Sequence, residues 1–188
     1  MLRSFLAIEL PRTIQNRIDE VQRDLKSSHA DIRWVSPDKI HLTLKFFGNI
    51  EESGVDSIIQ SIEEPVHTLS PFPLKVRGVG AFPHLKNPRV IWMGLLDGKG
   101  ILISFQKLLE TALEKIGFQA EDRPFHSHLT LGRVKSNRGR DELLVRMEKH
   151  KDEEFGDLQV EKVVLFKSDL RPSGPIYTPL REVRLGGL

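Results

Sequence analysis

Cysteine is absent from the chain, which removes disulfides, thiolate nucleophiles and every zinc or iron site that needs sulfur ligands. No apolar run approaches the roughly 20 residues that a membrane helix requires. The apolar start, Phe5 to Leu10, is broken by Glu9 and stopped by Pro11, and it lacks the long apolar run and small-residue cleavage site of a signal peptide. There is no Asn-x-Ser/Thr acceptor either, so a cytoplasmic protein with no membrane attachment is expected. A surplus of one charge sign is also missing: 28 basic against 26 acidic residues leave a net charge of +2. Any preference for a polyanion must therefore be local. Gly78-Val79-Gly80 is no dinucleotide fingerprint, because the third glycine and the helix that should follow are lacking.

What is present is the balance of an ordinary folded chain, 39% hydrophobic and 29% charged over 188 residues. The length suits one unit of two small lobes sharing a cleft, spanning 1–188. A strand is expected over Leu2 to Leu10, then a helix from Pro11 whose Ile14, Ile18, Val21 and Leu25 recur at helical spacing. Strands at Asp31 to Val35 and Lys39 to Phe47 follow, joined at Ser36-Pro37-Asp38 and ended by Gly48. A second helix, Glu51 to Glu64, should stop before Pro65; a hairpin of Leu74 to Phe82 and Arg89 to Leu96 comes next. Gly100 to Ile116 reads as a helix closed by Gly117, His126 to Val134 as a strand, and Asp141 to Lys149 as a short helix. Strands at Leu158 to Lys167 and Ile176 to Val183 complete an α+β order of elements.

One string stands out. His41-Leu42-Thr43-Leu44 recurs unchanged as His128-Leu129-Thr130-Leu131, 87 residues later and again in a predicted strand. By composition alone, such a pair would arise on the order of 1 time in 100,000. Alternate side chains of a strand share a face, so each histidine and threonine point one way while the leucines point to the core. Two lobes related by a pseudo-twofold would turn both His-Thr displays into one cleft. Imidazoles ionise near pH 6.5, so one can be neutral and the other protonated around a phosphate. The threonine hydroxyls can donate to its non-bridging oxygens. A metal site is disfavoured, since no His-Glu-x-x-His helix, cysteine or third clustered histidine completes a ligand set. No cofactor is called for.

These residues resemble those of the two-histidine phosphoesterases, specifically the RNA 2',3'-cyclic phosphodiesterase or 2'-5' RNA ligase family. Arg33-Trp34-Val35-Ser36-Pro37 leading into His41 through Gly48 is similar to the first motif block, and Pro124 through Arg133 to the second. The ending around Gly174-Pro175-Ile176-Tyr177 is similar too, so the match runs nearly end to end. Ser127 departs from the family's usual proline. The resemblance implies a bilobal α+β fold of two pseudo-symmetric antiparallel sheets, with helices on their outer faces and the active cleft between them. It implies metal-independent hydrolysis of RNA 2',3'-cyclic ends to 2'-phosphates, with 2'-5' joining as the reverse reaction. By motif position His41 would be the proton donor and His128 the acceptor, although the residues themselves leave these roles interchangeable.

Around the pair, Thr43 and Thr130 are candidate substrate-binding residues, and in the family pattern the arginine at position 133 helps hold the phosphate. Strict alternation puts Arg133 on the wrong face, and a bulge at Gly132 would correct it. Alternation also puts Lys45 and Phe47 on the His41 face, with Phe47 the favoured base-stacking aromatic ahead of Phe46 and Trp34. His126 shares a face with His128, while His29, His67, His84 and His150 read as surface residues. Lys135, Arg138 and Arg140 form a basic loop that either tracks RNA or is merely solvated. The expected partner is RNA ending in a 2',3'-cyclic phosphate or 2'-phosphate, bound by a monomer with no obligate protein partner. The competing readings are a non-catalytic module that binds RNA or nucleotide 2'-phosphates, and a phosphodiesterase of small cyclic nucleotides or 2'-5' oligoadenylate.

Overall fold

The computed structural model describes residues 1–172 and 174–186, so residues 173 and 187–188 of the expected span 1–188 lie outside the described residues. The chain runs β1 (Leu2–Glu9), α1 (Arg12–Lys26), β2 (Ile32–Trp34), a 3-10 turn (Pro37–Lys39), β3 (His41–Ile50), α2 (Gly54–His67), β4 (Phe72–Phe82) and β5 (Val90–Leu96). It continues through α3 (Ile101–Glu114), β6 (His128–Val134), α4 (Arg140–Lys149), β7 (Glu154–Val160), β8 (Lys162–Asp169) and β9 (Ile176–Arg184). Two sheets form, ordered β3-β1-β8-β9 and β2-β6-β5-β4-β7, and all the described pairings are antiparallel. The fold is α+β, as expected.

The two sheets share one plan, in which β3, β1, β8 and β9 correspond to β6, β5, β4 and β7. Each His-Leu-Thr-Leu strand thus lies antiparallel to the strand that precedes it across a helix. The helices change sides. α1 leaves the four-stranded sheet but packs against β7 of the five-stranded one, and its buried Gln22 donates to the Leu131 carbonyl of β6 at 3.0 Å. α3 leaves the five-stranded sheet, pairs with α2, and sends Glu110 to Lys45 of β3. Ile14, Ile18, Val21 and Leu25 of α1 and Leu102, Phe105, Leu109 and Leu113 of α3 are all buried in one cluster that spans both sheets. Helical spacing selects these residues because only one stripe of each helix can face the core.

Several expectations change. The two strands joined at Ser36-Pro37-Asp38 are parted into different sheets, β2 beside β6 and β3 beside β1. β3 passes Gly48 and runs to Ile50, because that glycine takes a φ of +73° within the strand. α2 passes Pro65 and reaches His67; so near the helix end proline forfeits only its own N–H bond, and the Thr68 N–H still finds the Glu64 carbonyl at 3.1 Å. The expected single strand over Leu158 to Lys167 is two, β7 and β8, which lie in different sheets with only Glu161 between them. No glycine or proline marks that crossing, so pattern alone runs through it. His150 is no free surface residue, since its ring bridges Asp24 of α1 at 3.0 Å and Glu153 at 2.6 Å.

Candidate active site

Both motif strands depart from strict alternation at the same place. Leu6 pairs with Lys45 and Ala7 with Thr43, leaving Leu44 as an extra residue. In the second lobe Ile91 pairs with Gly132 and Trp92 with Thr130, leaving Leu131 extra. Such a bulge inverts the parity of everything after it. His41 and Thr43 therefore share a face with Phe46, while Lys45 turns inward; His128 and Thr130 share theirs with Arg133, while Gly132 turns inward. The bulge that brings Arg133 to the cavity sits one residue earlier than Gly132.

Phe47 and Lys45 are corrected by the same shift. Phe47 is itself the extra residue of a second bulge, completed by Gly48, and packs edge-on against Phe118 at 4.9 Å between ring centroids. It is not among the residues lining the cavity, whereas Phe46 is, with the Arg3 guanidinium 4.5 Å from its ring centroid. Lys45 is buried, donating to Glu110 Oε2 at 2.7 Å and to the Gln119 carbonyl at 2.6 Å.

His41 and His128 open their strands and are held alike. His41 Nδ1 lies 2.9 Å from the Lys39 carbonyl, and His128 Nδ1 lies 2.7 Å from the His126 carbonyl. A carbonyl can only accept, so each Nδ1 carries a proton and each Nε2 is left to gain or lose one. β3 and β6 approach within 8 Å, Cα to Cα, and both rings line one cavity of about 530 Å³. Beneath His41, the cleft face of the four-stranded sheet carries a small cluster of Phe5, Ala7, Val164 and Phe166. The His41 ring stacks on Phe5 at 4.5 Å and meets Tyr177 edge-on at 5.2 Å. His128 instead stands edge-on to Phe82 at 5.0 Å.

Burial lowers the pKa of both imidazoles, partly opposed by their carbonyl hydrogen bonds. His128 is lowered further by the neighbouring His126 and Arg133 charges. Thr43, Thr130 and Arg133 line the same cavity, together with Arg3, Arg33 and Lys39. Among the described lining residues there is no carboxylate. The cavity thus concentrates positive charge that the near-neutral whole chain conceals, and it is suited to a phosphate flanked by two imidazoles. Among the described residues no group of three or more His, Asp or Glu gathers as a metal site would.

The family of LigT like phosphoesterases matches residues 8–92 and 97–177 of this sequence. The chain belongs to that family. The resemblance read from the two motif blocks is borne out over nearly the whole length. Among relatives, the RNA 2',3'-cyclic phosphodiesterase of Methanothermobacter thermautotrophicus is 35% identical, covering 98% of this chain and 99% of its own. The RNA 2',3'-cyclic phosphodiesterase of Aquifex aeolicus is 31% identical over 100% and 99%. Among solved structures, TT0787 of Thermus thermophilus superposes with a TM-score of 0.83 at 28% identity, covering 98% of each chain. E. coli LigT complexed with 3'-AMP gives a TM-score of 0.75 at 25% identity, again over 98% of each.

Within this LigT-like fold, Arg3, Lys39, Phe5 and Tyr177 are cavity residues that the two motifs do not reveal. They come from β1, the 3-10 turn and β9, and only the sheet order brings them together. Trp34 lines the cavity half-buried, while Lys135, Arg138 and Arg140 of the basic loop do not line it. His126 contributes its carbonyl to His128 from a position just before β6. Ser127, the departure from the motif, turns its hydroxyl to the Leu95 carbonyl at 3.0 Å.

Proposed function

We propose that this chain is an enzyme that hydrolyses the 2',3'-cyclic phosphate ends of RNA to 2'-phosphomonoesters without a metal, acting as a cytoplasmic monomer whose two lobes form one unit. The observation that carries the reading is the pair of imidazoles in one cavity with no carboxylate among its described lining residues, each with Nδ1 committed to a carbonyl. The names of the full-length relatives support the same substrate. The arginines that line the cavity, Arg133 among them, hold the anion, and Thr43 and Thr130 donate to its non-bridging oxygens. His128 Nε2 takes a proton from water as the oxygen attacks phosphorus. The bond from phosphorus to the 3' oxygen breaks, and His41 Nε2 protonates the departing oxygen. Burial, and after it the neighbouring His126 and Arg133, lower the pKa of His128, which suits it to the part of the base. With a 5'-hydroxyl in place of water, the same transfers join RNA ends through a 2'-5' bond.

The test is incubation of the purified protein with an oligonucleotide bearing a 2',3'-cyclic end, in EDTA, with the position of the product phosphate identified. Undiminished release of a 2'-phosphate is expected. A 3'-phosphate product, or turnover abolished by the chelator, would overturn the proposal.

The lowered imidazole values set an expected pH profile. Both groups of the free enzyme ionise below the ordinary 6.5, so the form with one proton shared between acid and base is most populated on the acid side of that value. kcat/KM should therefore peak below pH 6.5 and decline at higher pH, approaching about a tenfold loss per pH unit. The kcat profile should lie at higher pH, because bound phosphate stabilises both imidazolium forms. Stability follows the opposite limb. The unfolded chain binds more protons than the folded one between the depressed values and 6.5, so stability is complete above that range and declines as pH falls through it.

A further inference from the structure

Beside the catalytic cavity a second one, of about 1090 Å³, runs along α3 and the segment that leads into β6. That volume lies just above the range of small-molecule sites, about 300–1,000 Å³. The two cavities share Thr43 and His128, but His41 lines only the first. The second therefore adjoins the His128 ring and not the His41 ring, with Thr43 on the boundary between the two. Its chemistry also differs. The lysines and arginines on its wall are equalled in number by carboxylates, and Lys45 is cancelled directly by Glu110 at 2.7 Å. A wall without surplus positive charge has no preference for a further phosphate and suits an uncharged group attached to one. Phe82, edge-on to His128 and 6.0 Å from His126, lies on this wall with the half-buried Phe125. These rings offer faces on which a base can stack.

We infer that this cavity is the subsite for a nucleoside joined to phosphorus through its 5' oxygen. The inference rests on the proposed assignment of His128 to the nucleophile. In a displacement at phosphorus the entering and departing oxygens lie on opposite sides, roughly in line. The His41 side holds the ribose whose 3' oxygen departs, and the His128 side holds water during hydrolysis. When a 5'-hydroxyl takes the place of water, its nucleoside enters the second cavity. Its proton goes to His128 Nε2, the 5' oxygen bonds to phosphorus, the bond to the 3' oxygen breaks, and that oxygen takes the proton of His41. Cleavage of a 2'-5' bond reverses each transfer, with the 3'-hydroxyl attacking and the 5' oxygen departing. Hydrolysis asks nothing of this cavity, whereas cutting or making a 2'-5' bond does.

The test compares Thr111→Trp with the unmodified protein on adenosine 2',3'-cyclic phosphate and on 2'-5'-linked adenylyladenosine. Thr111 is exposed on α3 at the wall of the second cavity, and its hydroxyl bonds only the Lys107 carbonyl of its own helix, at 3.0 Å. The indole is expected to fill the cavity, lowering kcat/KM for the dinucleotide by about tenfold or more while the cyclic mononucleotide stays within about twofold. Thr111→Ala should leave both rates unchanged, which separates filling from loss of the hydroxyl. Equal losses on both substrates, no loss on either, or an unmodified enzyme that hydrolyses the cyclic phosphate but leaves the dinucleotide intact would each overturn the subsite. An unmodified enzyme inactive on the cyclic phosphate would instead overturn the proposed function.

Discussion

His41→Ala and His128→Ala are each expected to lower kcat on a 2',3'-cyclic-ended oligonucleotide by about 10²- to 10⁴-fold, the range for loss of one positioned acid or base. Single-turnover release of the 2'-phosphate measures it, with circular dichroism as the check on folding. Both groups act in one transition state, so the double variant should fall little below the slower single one. The residual pH dependence separates the roles. Without an acid at position 41 no protonated group is required, and the decline of rate with rising pH should vanish. Without a base at position 128 the decline with falling pH should vanish instead. Interchanged profiles would reverse the assignment, and full activity in either variant would remove the paired mechanism altogether.

A second large effect is expected outside the cavity that holds both imidazoles. Lys45 and Glu110 form a pair with side-chain exposures of 5% and 12%, and Gln106 donates to the remaining carboxylate oxygen at 2.9 Å. Removing one partner leaves a buried charge without its counterion, which costs about 3–5 kcal/mol. Lys45→Met should therefore lower the stability measured by urea unfolding by about that amount, and combining it with Glu110→Leu should recover most of the loss. The pair also fixes the residue that follows the Leu44 bulge, which is what holds Thr43 and Phe46 on the cleft side. Activity should accordingly drop more in Lys45→Met than in the double variant. If the single and double variants unfold at the same urea concentration, the pair contributes no such anchoring.

The histidine and threonine positions were legible because a repeated string in two strands admits one economical reading, and the helices because their apolar stripes have a fixed period. The errors about which strand residues face the cleft share one cause. A bulge needs no special residue at the bulged position: Leu44, Leu131 and Phe47 are ordinary strand formers. Counting by twos therefore put Phe47 and Lys45 in the cleft, and Arg133 was brought to it only through a bulge placed at Gly132 instead of Leu131. Glu161 hid the passage from β7 to β8 for a similar reason, since a single exposed residue between two apolar strands gives no turn signal. Arg3 and Lys39, and the meeting of Tyr177 with them, were beyond local pattern because they come together only through the order of strands in the sheets.

The exchange of helices between the sheets bears on how the cleft can work. α1 is clamped to the lobe it did not come from by Gln22, and α3 to the other by Glu110. Neither half of the chain owns a complete sheet with its own cover, so a cut midway would separate partners that stabilise each other. Jaw-like opening would strip both crossed helices from their seats at once. The two sheets are thus tied through one shared core rather than through a hinge between separate halves.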